Sequence, residues 1–201
     1  MLNWDIEDKQ IELGYTVICG VDEAGKGPLA GPVAAAACIL PHGYNHADLK
    51  DSKKLSEKKR EKLYEEITAN AVSYAIDYAS VDEIDELNIL NASMFAMRRA
   101  VEKLVPKPNL ALIDGNIARG FELDTLTVVR GDTVSPSIAA ASILAKVSRD
   151  RLCYELDKLY PMYEIKRHKG YGTVLHRDLL RIHGPSPIHR KTFIKFLYTH
   201  E

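Results

Sequence analysis

Five short apolar runs, none longer than eight residues, constrain this chain more than any other feature. They lie at residues 16–21, 33–40, 72–78, 110–113 and 126–129, and runs of this length bounded by Gly, Pro or acids read as strands. In the third, Val72, Tyr74, Ile76 and Tyr78 alternate with small or polar residues, which predicts a half-buried strand with those four on its apolar face. Helix signals separate the runs. Ser56 caps a helix over 58–70, with Leu63 and Ile67 one turn apart. Ser80 and Glu83 form a capping box that opens a helix to about Leu104, where Pro106 and Pro108 stop it. Ser135 as cap and Pro136 in the first turn start a long helix to about Leu159, closed by Pro161. This order predicts an α/β domain with a mixed five-stranded sheet flanked by helices, followed by a small helical C-terminal segment over 161–201.

The chain's 201 residues fit one such domain over 1–201. With 46% hydrophobic and 27% charged residues, disorder, a collagen-like chain and a disulfide-stapled miniprotein are excluded. No apolar run nears the roughly 18 residues of a membrane span, and acids stand at 5, 7 and 8 where a signal peptide needs Lys or Arg, so the expected location is cytoplasmic. Cys19, Cys38 and Cys153 are too few and scattered for a disulfide framework or a zinc site and read as reduced packing residues. The seven histidines have no ligand-like spacing, and none is assigned to a metal. Charge is uneven. Residues 161–201 hold eight Lys or Arg against three acids, a balance of +5, and the remaining 160 residues hold 19 bases and 25 acids, a balance of −6. The basic segment suits either a polyanion or plain solvation.

Three of the apolar runs lead into acids: Val21 into Asp22 and Glu23, Ile113 into Asp114, and Val129 through Arg130 and Gly131 into Asp132. Strand ends converge on ligand crevices in α/β sheets. Four carboxylates gathered there repel one another and raise one another's pKa unless a cation neutralises them, so the set argues for bound metal. An all-oxygen set suits Mg²⁺ or Mn²⁺, and phosphodiester hydrolysis by two ions is the chemistry that needs it. For any single acid, a turn-forming role is the simpler account. Residues 20–26 also match the start of a phosphate-cradling loop, GxxxxGK. Gly27, however, stands where that loop needs a hydroxyl, and Asp22 and Glu23 would put negative charge inside an anion cradle. The three glycines at 25, 27 and 31 better fit close backbone approach to a sugar or phosphate, or an ordinary Gly/Pro turn.

Six segments, taken together, resemble bacterial ribonuclease HII. They are Gly20-Val-Asp-Glu-Ala-Gly-Lys-Gly-Pro-Leu-Ala-Gly-Pro-Val33, Asp51-Ser-Lys-Lys-Leu-Ser56, Leu112-Ile-Asp-Gly-Asn116, Gly131-Asp132 with the helix from Ser137 to Asp150, His168-Lys-Gly-Tyr-Gly-Thr173, and Gly184-Pro-Ser-Pro-Ile-His-Arg190. The resemblance spans about residues 16–193 and implies a ribonuclease H-like fold. It implies an endonuclease that hydrolyses the RNA strand of RNA/DNA hybrids and cuts 5′ to single ribonucleotides in duplex DNA, leaving 3′-hydroxyl and 5′-phosphate ends. Its four catalytic, metal-binding acids fall on Asp22, Glu23, Asp114 and Asp132, the set reached from the strand ends. Its glycine motif falls on Gly25, Lys26 and Gly27, with lysine where arginine is usual. A second departure is Val134, where a basic residue is common. The resemblance makes Tyr171 the residue that reads the sugar after the ribonucleotide, and gives Ser52 and Lys53 a place in the substrate groove. Lys146, Arg149 and Arg190 are candidate phosphate contacts, or solvated charge. The expected partners are hybrids and ribonucleotide-containing DNA, with two Mg²⁺ or Mn²⁺ ions and the chain as a monomer. Two rivals stand beside this reading. A ribonuclease HIII would carry an added N-terminal domain of about 80 residues, where about 15 precede the first strand here. A non-catalytic hybrid-binding module gains nothing from four acids facing phosphates.

Overall fold

The computed structural model describes residues 2–46, 48–49 and 55–198. Its centre is a mixed five-stranded sheet in the order β3-β2-β1-β4-β5. The strands are β1 (Ile18–Ala24), β2 (Val33–Ile39), β3 (Ser73–Ala79), β4 (Leu110–Asp114) and β5 (Asp124–Val128). β1 is antiparallel to β2 and parallel to β4, while β3 and β5 form the edges. The helices are α1 (Asp5–Glu12), α2 (Glu57–Asn70), α3 (Val81–Glu102), α4 (Pro136–Leu159), α5 (Ile165–His168) and α6 (Val174–His183). No helix among the described residues is long and apolar enough to cross a membrane.

The alanines of β2 explain the layering. Ala34 to Ala37 are fully buried, with Ala35 and Ala37 in the core beneath α3 and Ala36 in the core beneath α4. Small side chains on both faces let a helix approach from each side. Gly20 does the same in β1: a Cβ there would lie 2.1 Å from the backbone carbon of Ser137, so only glycine lets the first turn of α4 rest on the strand. The expected caps are present. Ser135 accepts from the Ile138 N–H, and Ser80 and Glu83 form the reciprocal box. Cys19, Cys38 and Cys153 are buried and free.

Three expectations are corrected. β1 does not stop before Asp22; both acids lie inside it, opposite Ala36 and Ala35 of β2. β3 alternates as expected, but of its predicted apolar face only Ile76 packs, against the core beneath α4, while Val72, Tyr74 and Tyr78 are exposed and Asp77 and Ala79 on the other face are buried. The reason is α3, which packs against the small residues Ala75 and Ala79 and offers Arg99 and Lys103 to Asp77 at 2.8 and 2.5 Å. α1 was not expected, because its one buried residue is a carboxylate. Glu7 accepts from the Ser135 hydroxyl at 2.6 Å and the Ser137 N–H at 3.2 Å, at the N-terminal end of α4.

Candidate active site

Parallel pairing of β1 with β4 makes the site. Val21 lies opposite Ile113, so the next residues, Asp22 and Asp114, stand side by side at the same sheet edge. They border a cleft of about 390 Å³ together with Glu23, Arg60 of α2, Lys146 of α4 and Tyr171. Asp22 is 6% exposed, and its carboxyl accepts from the Glu23 N–H at 2.7 Å and bonds with Ser142 of α4. Burial first, then the charges of Glu23 and Asp114, hold its pKa well above the usual carboxylate range. Burial also raises Glu23, against the opposing pull of Lys26, whose Nζ lies 2.5 Å from Oε1. The other oxygen, Glu23 Oε2, is buried with no hydrogen-bond donor. Asp114 accepts from the Gly131 N–H at 2.7 Å, and the next residue, Asp132, is 2% exposed in the turn Gly131–Thr133.

The four acids are therefore drawn toward one region unequally. Asp22, Glu23 and Asp114 border the cleft, whereas Asp132, buried in the turn after Gly131, does not line it. No three His, Cys, Asp or Glu side chains among the described residues stand in a ready-made metal cluster. Each cleft acid instead has its own tether: Ser142, Lys26 or the Gly131 N–H. The chemistry still fits a divalent cation, because hard oxygens of like charge face one another and one of them lacks a donor.

The glycine loop is held from beneath by two buried arginines. Arg190, fully buried, donates to the carbonyls of Gly31 at 2.9 and 2.7 Å, Lys26 at 2.9 Å and Gly25 at 2.7 Å. Arg149, 1% exposed, donates to the carbonyls of Ala30, Pro32 and Lys169. These two residues, expected as phosphate contacts or solvated charge, turn inward and shape the loop. Gly25 has φ +102°, and a Cβ there would lie 1.9 Å from Arg149 Nε. Gly27 is open, its nearest neighbour being the Tyr171 ring at 3.5 Å from the position of a Cβ. Tyr171 is 46% exposed at the cleft. Leu29 donates to Gly170 at 2.8 Å, which fastens the glycine loop to the tyrosine's segment. Lys146 borders the cleft and pairs with the buried Asp150 at 2.7 Å. Ser52 and Lys53 lie outside the described residues. Arg60 was missed, since an arginine one turn into a polar helix carries no mark in sequence.

A mixed sheet of this order, with acids on the adjacent strands β1 and β4, is the ribonuclease H-like fold, as comparison with solved structures shows. The ribonuclease H2 of Pyrococcus horikoshii OT3 superposes with a TM-score of 0.73 at 24% identity, over 91% of this chain and 98% of that one. Bst-RNase HIII in complex with Mn²⁺ superposes at 0.66 and 17% identity, over 87% and 72%. The profile of ribonuclease HII matches residues 19–200. Ribonuclease HII of Desulfitobacterium hafniense (strain DSM 10664 / DCB-2) is 55% identical over 188 residues, 93% of this chain and 72% of the relative. The chain belongs to the ribonuclease HII family and is a metal-dependent endoribonuclease of the class that acts on RNA/DNA hybrids.

Proposed function

We propose that this ribonuclease cuts the RNA strand of hybrids and also cuts 5′ to single ribonucleotides embedded in duplex DNA. In the cut, a water oxygen bonds to phosphorus and the P–O3′ bond of the preceding nucleotide breaks. One product ends in a 3′-hydroxyl and the other begins with a 5′-phosphate. The observation that carries this reading is the set of buried, mutually repelling carboxylates on β1 and β4, with a donorless Glu23 oxygen beside a glycine loop. Asp22, Glu23 and Asp114 would hold divalent cations, Mg²⁺ or Mn²⁺, with Asp132, in the turn after Gly131, completing the set. Two ions held by these acids would supply the chemistry of water activation and of charge neutralisation at the leaving oxygen.

The chain's own residues do the rest. With its carbonyls held by Arg190, the loop from Gly25 to Gly27 offers its peptide N–H groups to a ribose 2′-hydroxyl or a phosphate oxygen. Tyr171, against Gly27, packs on the following sugar only where that sugar lacks a 2′-hydroxyl. Arg60 and Lys146 line the cleft as cations for the strand backbone. The segment over 161–198 is a substrate-binding extension, basic outside and fastened to the glycine loop inside. To test this, a labelled duplex with one ribonucleotide is incubated with Mg²⁺, with Mn²⁺ or with EDTA. Cleavage immediately 5′ to the ribonucleotide, lost in EDTA, is expected. Cleavage elsewhere, or cleavage unaffected by EDTA, overturns the reading.

A further inference from the structure

Three histidines with no pattern in sequence meet inside the C-terminal segment. His176 and His189 are 0% and 2% exposed, and His168 stacks on His176 with ring centroids 4.2 Å apart. Their hydrogen bonds fix which nitrogen carries each proton. The Ser186 N–H points at His189 Nδ1 from 3.1 Å, so that nitrogen accepts and Nε2 carries the proton. His189 Nε2 lies 3.1 Å from His176 Nε2, which must then accept. His176 consequently carries its proton on Nδ1 and donates it to the Tyr171 carbonyl at 3.0 Å. The line runs one way, from Ser186 through His189 and His176 to the backbone of Tyr171. A second proton on either ring would set one N–H against another. Burial, foremost, pushes both imidazoles down to about 4, so both are neutral near pH 7.

The residue after His189 holds the other half of the site. Arg190 takes the carbonyls of Gly25, Lys26 and Gly31, and Ala30 forms a β-bridge with His189. One dipeptide therefore fixes both the glycine loop and, through His176, the tyrosine opposite it. We propose that His189 and His176 are specificity-determining positioning residues that set the gap between Tyr171 and the glycine loop. This rests on the reading of Tyr171 given above. A ring that must lie flat on one sugar loses its grip when its backbone shifts by about 1 Å, and misplacement of that order is costly in catalysis.

The test compares kcat/KM on a one-ribonucleotide duplex with that on a continuous hybrid. His176→Ala is expected to lower this ratio about five- to tenfold, the loss from one buried hydrogen bond. His176→Asn, whose side-chain amide can replace the Nδ1 donor, should restore the ratio to within about twofold. Tyr171→Ala should lower the ratio at least as much, and adding His176→Ala to it should lower it no further. Equal losses on both substrates, or an Asn variant as poor as the Ala variant, would overturn the proposal and leave the histidines as packing. If Tyr171→Ala leaves the ratio unchanged while His176→Ala lowers it, the role of Tyr171 fails, and the proposed link through it fails too. ¹⁵N NMR of the wild-type protein gives a reading independent of activity. It should show His189 protonated at Nε2 and His176 at Nδ1, and the opposite tautomers would overturn the relay.

Discussion

The cleft and the C-terminal segment both bury charge, and they treat it in opposite ways. In the cleft, Asp22, Glu23 and Asp114 face one another, and Glu23 Oε2 finds no donor. Against the segment, Arg190 and its neighbour from α4, Arg149, are both buried, and backbone carbonyls take their donors. Arg190 is pushed down to about 9 by burial and by Arg149, and its hydrogen bonds still keep it in place. Buried charge that is fully hydrogen-bonded builds a scaffold, whereas buried charge of one sign, incompletely bonded, awaits a ligand of the other sign. The two regions meet at the glycine loop, shaped from the segment and presented to the cleft.

If that contrast holds, Asp22→Asn should give the largest effect on chemistry, a loss in kcat on the order of 10² to 10³ or more. Hybrid affinity should persist, since removing a negative charge does not weaken attraction to phosphate. Single-turnover cleavage and a binding titration on the same substrate separate the two.

Arg190→Leu should give the largest effect on stability, about 3 kcal/mol, because it strands three buried carbonyls. Arg190→Lys should not rescue it, since one ammonium cannot reproduce the guanidinium fork. Denaturant unfolding measures both, and an unchanged midpoint for either variant would break the scaffold half of the contrast.

The glycines sharpen the boundary between the regions. Gly25→Ala forces a Cβ into Arg149 at positive φ and should cost about 2 kcal/mol along with activity. Gly27→Ala meets only an ordinary contact at 3.5 Å, so its melting temperature should hold, while a bulkier residue there should impair every substrate by blocking approach of the ligand. Equal thermal losses for the two alanine variants would erase the distinction.

The last effect is on pH dependence. His176 and His189 ordinarily titrate near 6.5 and in the fold near 4, so the unfolded chain takes up protons that the folded chain refuses. Their contribution is complete above about pH 6.5 and is lost as pH falls toward 4, with His168 and Tyr163 the ring neighbours facing them. Taken alone, these two shifts lower the wild-type melting temperature by roughly ten degrees between pH 7 and 5, offset in part by the raised carboxyls of Glu7, Asp22 and Glu23, and His176→Asn should flatten that slope. An unchanged slope would mean that His176 already titrates alike in both states.

Much of this was legible in sequence, and the parts that were not share a cause. The runs leading into Asp22 and Asp114 announce strands and acids, because local patterning decides both. That the two acids are neighbours depends on parallel pairing of β1 with β4 across 92 residues, which only topology supplies. The exposure of Tyr74 and Tyr78 follows from α3 choosing Ala75 and Ala79, a tertiary preference that overrides the size of the tyrosines. The basic count of the last 41 residues is visible, but not that Arg190 turns inward, nor that His168, His176 and His189 meet. α1 hides because its buried residue, Glu7, breaks the apolar period expected of a helix.

A divalent cation should complete the site that the cleft acids leave incomplete. Thermal unfolding of wild type and Asp22→Asn across a Mn²⁺ titration tests it most directly. Wild type should gain stability with Mn²⁺ by mass action, while Asp22→Asn should start higher in EDTA, relieved of repulsion, and gain little. A variant that starts lower than wild type and keeps the full Mn²⁺ response would contradict it.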